Sequence, residues 1–226
     1  MSFKIKKLIL PTIFSLCLAG ITGYFLGTNR GVKEVLSNHE VAIMANAKQI
    51  PYHAKFLKVV EELERASKGK LMASECVRIS EIITSQCILN NKIGLTSDKV
   101  FAIMERESNF SPDAISRSHA YGIMQLIPTT FMLHSALLGY SGNFHEDLAL
   151  NPIVNTEVGI QELIRLRKYW LSEGVNDWLV VYTSYFWGTR STWELFLSKK
   201  RAKLPSLEYS KGIIDLAKKW RERGIS

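Results

Sequence analysis

Glu107 is the residue whose type and setting best suit general-acid chemistry. It falls in the last turn of an apolar helical segment, and Pro112 stops that segment soon afterwards. The negative end of a helix dipole disfavours ionisation of a carboxyl group placed there. Burial against Met104 and Phe110 acts in the same direction. Both effects raise a glutamate pKa toward neutrality, which is what a general acid needs. The next residues form a loop rich in Ser, Gly, Gln and Pro, running to Thr130. Polar loop side chains facing a buried acid suit a sugar bearing many hydroxyl and amide groups. A plain helix end followed by a capped turn is the competing reading of the same pattern. Glu105, two residues away, points to the opposite side of the helix and reads as a surface carboxylate. Asp113 reads as a solvated turn residue, although it is the nearest alternative second carboxylate.

Other chemistries find no support. The five histidines, His39, His53, His119, His134 and His145, form no His-Glu-x-x-His pair and no ligand cluster, so a zinc amidase is not expected. There is no Gly-x-Ser-x-Gly elbow and no phosphate-binding loop. Three cysteines cannot make a disulfide scaffold or a four-cysteine zinc site.

The elements that must hold Glu107 read as helices, with no alternating strand pattern of useful length and no internal repeat. Phe56, Leu57, Val60 and Leu63 share one face of a segment beginning after Pro51, with Glu61, Glu62, Glu64 and Arg65 on the other. A second helix spans about 73–90, its buried face marked by Ile79, Ile82, Ile83 and Cys87. Ser97-Asp98 is placed to N-cap the helix that carries Val100, Ile103, Met104 and Glu107. Asn151 is placed to cap a helix opened by Pro152 and running through Val158, Leu163 and Ile164. The stretch 178–187 is nearly all apolar or aromatic and should be deeply buried. The stretch 206–223 is a basic amphipathic helix with Ile213, Ile214, Leu216 and Trp220 apolar; packing on the domain is favoured over binding a membrane surface. Cys76 and Cys87 could pair only if their helix breaks, because eleven helical residues separate them by about 16 Å and a disulfide needs α-carbons within about 7 Å. Two buried thiols are the favoured reading.

The chain has 226 residues, a formal charge of +8, and 46% hydrophobic residues, which is globular composition and excludes disorder for most of the length. The positive charge favours an anionic partner: nucleic acid, membrane surface or cell-wall polymer. Lys4, Lys6 and Lys7 precede a mainly apolar run from Leu8 to Leu26. Nineteen helical residues rise about 29 Å, close to the roughly 30 Å thickness of the hydrocarbon layer. An uncleaved anchor is expected, with a cleaved signal as the alternative, since the sole small-residue exit is Cys17-Leu18-Ala19. The lysines before the run keep the N-terminus in the cytoplasm and export the rest. Export removes nucleic acid from the candidate partners.

The stretch Glu107-Ser108-Asn109-Phe110-Ser111-Pro112-Asp113-Ala114-Ile115-Ser116, followed by Ala120-Tyr121-Gly122-Ile123-Met124-Gln125-Leu126-Ile127-Pro128-Thr129-Thr130, resembles the signature of soluble-lytic-transglycosylase (SLT) catalytic domains, which share the goose-type lysozyme fold. Roughly a dozen positions agree, in order and without gaps. Weaker similarity covers about residues 75–200. The resemblance implies that Glu107 is the single catalytic acid/base. It implies that Ser116 lines the site near the sugar's N-acetyl group and that Gln125 lies in the substrate groove. Gly122 would permit the tight backbone there, and Met124 would pack beneath it. The family usually carries Ala-Tyr-Asn-Ala-Gly on a later helix. Set against Val181-Tyr182-Thr183-Ser184-Tyr185, that pattern makes Tyr182 the tyrosine reaching toward the acid, and Thr183 and Tyr185 departures from it.

The resemblance thus implies an all-α, lysozyme-like SLT domain over 73–204. Before it would come a cytoplasmic tip (1–7), a transmembrane helix (8–27) and a helical stalk (28–72), and after it a basic tail helix (205–226). The implied reaction cleaves the β-1,4 bond between N-acetylmuramic acid and N-acetylglucosamine and leaves 1,6-anhydro ends. The implied partner is the peptidoglycan strand, met on the outer side of the cytoplasmic membrane by a single-pass protein. Wall turnover, a secretion or conjugation apparatus, and phage assembly are all compatible settings. A non-catalytic glycan-binding scaffold and a lysozyme-like hydrolase are the alternatives.

Overall fold

The computed structural model describes residues 50–197 and 205–226. The expected anchor, the cytoplasmic tip, His39 and the first part of the stalk lie outside the described residues. Among the described residues no helix is long and apolar enough to cross a membrane. Helices account for nearly all the regular structure there: α1 (Ile50–Ser67), α2 (Ala73–Leu89), a 3₁₀ turn (Asn91–Ile93), α3 (Ser97–Ser108), α4 (Pro128–Leu137), α5 (Glu146–Leu150), α6 (Pro152–Ser172), α7 (Trp178–Trp187), α8 (Thr189–Leu197) and α9 (Pro205–Glu222). Among the described residues the only extended pairings are the isolated bridges Ile115–Tyr121 and Tyr121–Leu126, in the loop after α3.

Local signals account for several boundaries. Asn151 Oδ1 accepts from the amides of Ile153 and Val154 at 3.0 and 3.2 Å, so it caps α6 as its position before Pro152 predicts. Glu75 reaches back to the amide of Met72 at 2.7 Å and closes the start of α2. At α3 the cap differs from expectation. The helix begins at Ser97, the capping position is Thr96, and no side chain bonds the free amides there.

The longest helix, α6, packs on α2, α4, α5 and α7. Its buried stripe of Val158, Leu163, Leu166 and Trp170 forms the centre of the core. The acid-bearing helix α3 lies against α9 and α2. Helix α2 is continuous through both cysteines, so Cys76 and Cys87 are buried free thiols. Burial pushes their pKa values up to about 12 and about 11.

Two expectations about domain limits are corrected. Helix α1, assigned to a stalk, packs on α2 and buries Phe56, Val59, Val60 and Leu63. Glu62 was placed on the solvated face but is buried, paired with Lys58 at 3.1 Å and with Arg223 of the C-terminal segment at 3.2 Å. Helix α9, placed outside the domain, is part of its core. Trp220 is buried with its ring 5.0 Å from Phe101 and 5.9 Å from Phe110. Arg221 donates to the fully buried Asp98 at 2.7 Å. Helix α1 thus covers part of α2, and α9 packs on both α3 and α7.

Candidate active site

Glu107 occupies the last full turn of α3, and the chain leaves that turn by a sharp route. Asn109 (φ 50°) and Phe110 (φ 59°) are both left-handed, so the helix ends before Pro112 rather than because of it. Asparagine tolerates that conformation; a phenylalanine there is strained, at a cost of about 1–3 kcal/mol. Burial of the Phe110 ring against Phe101 and Trp220 offsets that cost. The Phe110 amide returns to the Met104 carbonyl at 3.3 Å, which closes the helix end.

The carboxyl group of Glu107 is enclosed. The Tyr209 hydroxyl, from α9, donates to its Oε1. Burial raises the Glu107 pKa to about 7, against the opposing effects of the Tyr209 hydrogen bond and the Arg106 charge. A carboxyl group at that value is half protonated near neutrality. Tyr185, from α7, lies close enough for the charge of Glu107 to raise its pKa further, beyond the effect of burial. Its hydroxyl donates to the Met124 carbonyl at 2.7 Å. Three helices therefore converge on the acid: α3 carries it, α7 supplies Tyr185 and α9 supplies Tyr209.

The loop 109–127 is fixed to this cluster by buried polar side chains. Ser108 donates to the Ile123 carbonyl at 2.8 Å, which ties the loop to the turn beside Glu107. Asn155 of α6 accepts from the Met124 amide at 2.8 Å and donates to the carbonyls of Tyr121 and Ala149 at 2.9 and 2.8 Å. Gly122 has φ 77°, and a methyl group there would meet the Asn155 side chain at 2.5 Å and the Ala149 carbonyl at 2.7 Å. Gly122→Ala should therefore cost at least about 2 kcal/mol. A thermal melt checks this, and an unchanged midpoint would show that the loop yields freely.

The other residues singled out in the sequence are distributed as follows. Gln125 (φ 49°) donates to the carbonyls of Ala114 and Gly122, both at 2.9 Å, so its amide clasps the loop. The Ser116 hydroxyl accepts from the Ala120 amide at 3.0 Å and lies 3.1 Å from that of Ser118, within its own turn. Met124 is fully buried. Asp113 accepts from the Ser111 hydroxyl at 2.8 Å in an exposed turn. Glu105 is not a free surface carboxylate: it accepts from Trp220 Nε1 at 2.7 Å and Lys219 at 2.8 Å, anchoring α9.

Tyr182 does not face the acid. Its ring packs 5.6 Å from that of Trp178, and the charges felt by its hydroxyl are Asp98, Arg221 and Arg167. Asp98 is nine residues before Glu107, about 13 Å along α3. The tyrosine one turn further along α7, Tyr185, occupies the place expected for Tyr182. The same five-residue pattern, read three residues later, gives Ser184-Tyr185-Phe186-Trp187-Gly188, in which tyrosine and glycine both match and Gly188 has φ 79°. The tyrosine-to-glycine spacing was the available signal. The sequence singles out neither Tyr209 nor Asn155, whose roles depend on which helices meet.

Among the described residues the fold is mainly helical, and the Glu107 carboxyl group is enclosed where α3, α7 and α9 meet. The family model described as Transglycosylase SLT domain matches residues 89–204, and the chain belongs to that family. Among curated proteins it is similar to the membrane-bound lytic murein transglycosylase C of Glaesserella parasuis serovar 5 (strain SH0165), 34% identical over 90 residues, which are 39% of this chain and 24% of the relative. It is also similar to that of Shigella sonnei (strain Ss046), 30% identical over 118 residues, 49% of this chain and 32% of the relative. The matched part is thus a quarter to a third of the length of these relatives. Among solved structures, an inactive mutant of the lytic transglycosylase Slt from Pseudomonas aeruginosa superposes with a TM-score of 0.51 at 19% identity, covering 85% of this chain and 34% of that one. The 70 kDa soluble lytic transglycosylase from Escherichia coli gives 0.51 at 16% identity, covering 71% and 29%. These structural matches establish the fold.

Proposed function

We propose that this chain is a peptidoglycan lytic transglycosylase in which Glu107 acts first as acid and then as base. The observation that carries the reading is the enclosed Glu107 carboxyl group, with its pKa at about 7, in a chain of the SLT family. Protonated Glu107 gives its proton to the glycosidic oxygen, and the bond from that oxygen to the muramic C1 breaks. The substrate's N-acetyl carbonyl takes the place of the second carboxylate that most glycosidases supply. The Glu107 carboxylate then removes the proton from the muramic C6 hydroxyl, whose oxygen bonds to C1. A 1,6-anhydro end forms and the carboxyl group is restored. Ring closure within one bound sugar has a high effective concentration, which favours it over attack by water. No metal or cofactor enters this chemistry.

Tyr209 holds the carboxylate in place between the two steps, and Tyr185 takes the role first given to Tyr182. Ser116 lines the groove near the N-acetyl group, and Gln125 shapes the groove by holding its loop. The curated relatives are membrane-bound enzymes, which supports membrane association; the apolar run at 8–27 behind Lys4, Lys6 and Lys7 supports a single-pass anchor in the cytoplasmic membrane with the catalytic domain outside. That domain runs beyond 73–204 at both ends, because α1 and α9 belong to its core.

The test is the release of soluble glycan from purified sacculi. Initial protonation needs the acid form, so kcat/KM should fall about tenfold per pH unit above about pH 7, following the Glu107 pKa. Release that continues undiminished to pH 9 would exclude a neutral-range acid.

A further inference from the structure

In the register fixed by Tyr185 and Gly188, the asparagine and alanine of the family's five-residue pattern are replaced by Phe186 and Trp187. Both are large aromatics and both are exposed, at 48% and 39%. The preceding turn of the same helix, Val180–Ser184, is buried, so these rings are presented by a firmly packed element. The Phe186 ring lies on that of Tyr209, with centroids 4.5 Å apart and planes inclined by 26°. Tyr209 in turn donates to Glu107. Phe186 is therefore one ring and one hydrogen bond away from the acid. Tyr209 covers part of Phe186, and the rest of its surface is open beside the site.

A flat, exposed aromatic ring beside a glycan-cleaving acid has a chemical match. A pyranose with equatorial substituents presents a face of C–H bonds, whose hydrogens carry partial positive charge and suit the negative face of an aromatic ring. We propose that Phe186 is the platform of a sugar subsite next to the scissile bond, where an N-acetylhexosamine ring of the glycan strand stacks. The proposal rests on the reading of Glu107 as the cleaving acid, and it assigns a specificity-determining role to a residue where the family pattern carries an amide. Continuity with the Tyr209–Glu107 pair is what favours a glycan over a protein partner for this surface.

The experiment uses full-length chain carrying Glu107→Gln as parent, so that ligand is not consumed. The ligand is the β-1,4-linked tetramer of N-acetylglucosamine, and its affinity is measured by calorimetry. Phe186→Leu keeps apolar bulk without a π face and should weaken binding about tenfold, the scale of one aromatic contact. Phe186→Tyr should restore affinity to within about twofold of the parent. An unaltered affinity in Phe186→Leu, or no recovery in Phe186→Tyr, overturns the proposal. A Phe186→Leu chain that turns from dimer to monomer while binding the tetramer normally also overturns it, in favour of a self-interface. If Phe186→Leu lowers the thermal midpoint, hydroxyl-radical footprinting of the parent decides: tetramer should protect Phe186 from oxidation, and equal oxidation with and without tetramer overturns the subsite. Cleavage of sacculi by the wild-type chain is scored separately. An active wild type with unaffected tetramer binding in Phe186→Leu removes the subsite and leaves the enzyme. An inactive wild type with the expected binding losses removes the enzymatic reading and leaves a glycan-binding platform.

Discussion

Glu107→Gln should abolish nearly all release of glycan from sacculi while making the protein more stable above neutral pH. The amide keeps the shape and still accepts from Tyr209, but it cannot donate and recover a proton. General acid–base action is worth about 10² to 10⁴ in rate, and more where one residue serves both steps. The stability effect follows from the same pKa. Below about pH 4.5, the ordinary glutamate value, folded and unfolded chains both hold the proton, so the raised value has no consequence. Between about 4.5 and about 7 the unfolded chain ionises and the folded chain does not, so stability falls as pH rises. Above about 7 the loss is complete, at about 3 kcal/mol for such a shift. The Gln variant carries no such loss. Its melting midpoint should match wild type at pH 4 and exceed it by several degrees at pH 8. An offset independent of pH would mean that Glu107 ionises as an ordinary exposed carboxylate.

Removing the Trp220 side chain should cost about as much as any core truncation in the molecule. Trp220 is buried at the meeting of α3 and α9, packed on Phe101 and Phe110 and bonded to Glu105. Trp→Ala at such a site costs about 3–5 kcal/mol, a large share of the 5–15 kcal/mol that holds a domain together. The midpoint of Trp220→Ala should fall by roughly 10 °C. Activity should fall with it even below the midpoint, because loosening α9 withdraws Tyr209 from Glu107. A chain ending at residue 204 should fail to fold stably. If instead it melts at the wild-type temperature, α9 is a dispensable appendage.

Much of the acid's own setting could be read locally. Helix end, apolar neighbours and a following polar loop all lie within a few residues of Glu107, and each acts on its pKa through short-range physics. The capping of α6 by Asn151 was legible for the same reason. What stayed hidden depends on which helices meet. The amphipathic face of α9 announced that it packs on something, but not that it packs on α3 and brings Tyr209 to the acid. Glu62 looked solvated because its neighbours in sequence are charged; its burial is set by Arg223, which is remote in the chain. The misplaced tyrosine has a different cause. Tyr182 and Tyr185 sit one turn apart on a helix too uniformly apolar for periodicity to tell its faces apart. Only the distance from tyrosine to the turn-forming Gly188 separates them.

If Glu107 closes the muramic sugar onto itself, the masses of the released fragments show it most directly. Sacculi digested to completion by the full-length chain should yield muropeptides one water lighter than those released by a lysozyme, with no reducing muramic end. Fragments with mainly reducing ends would contradict the account and leave a hydrolase in which water, not the C6 hydroxyl, reaches the muramic C1.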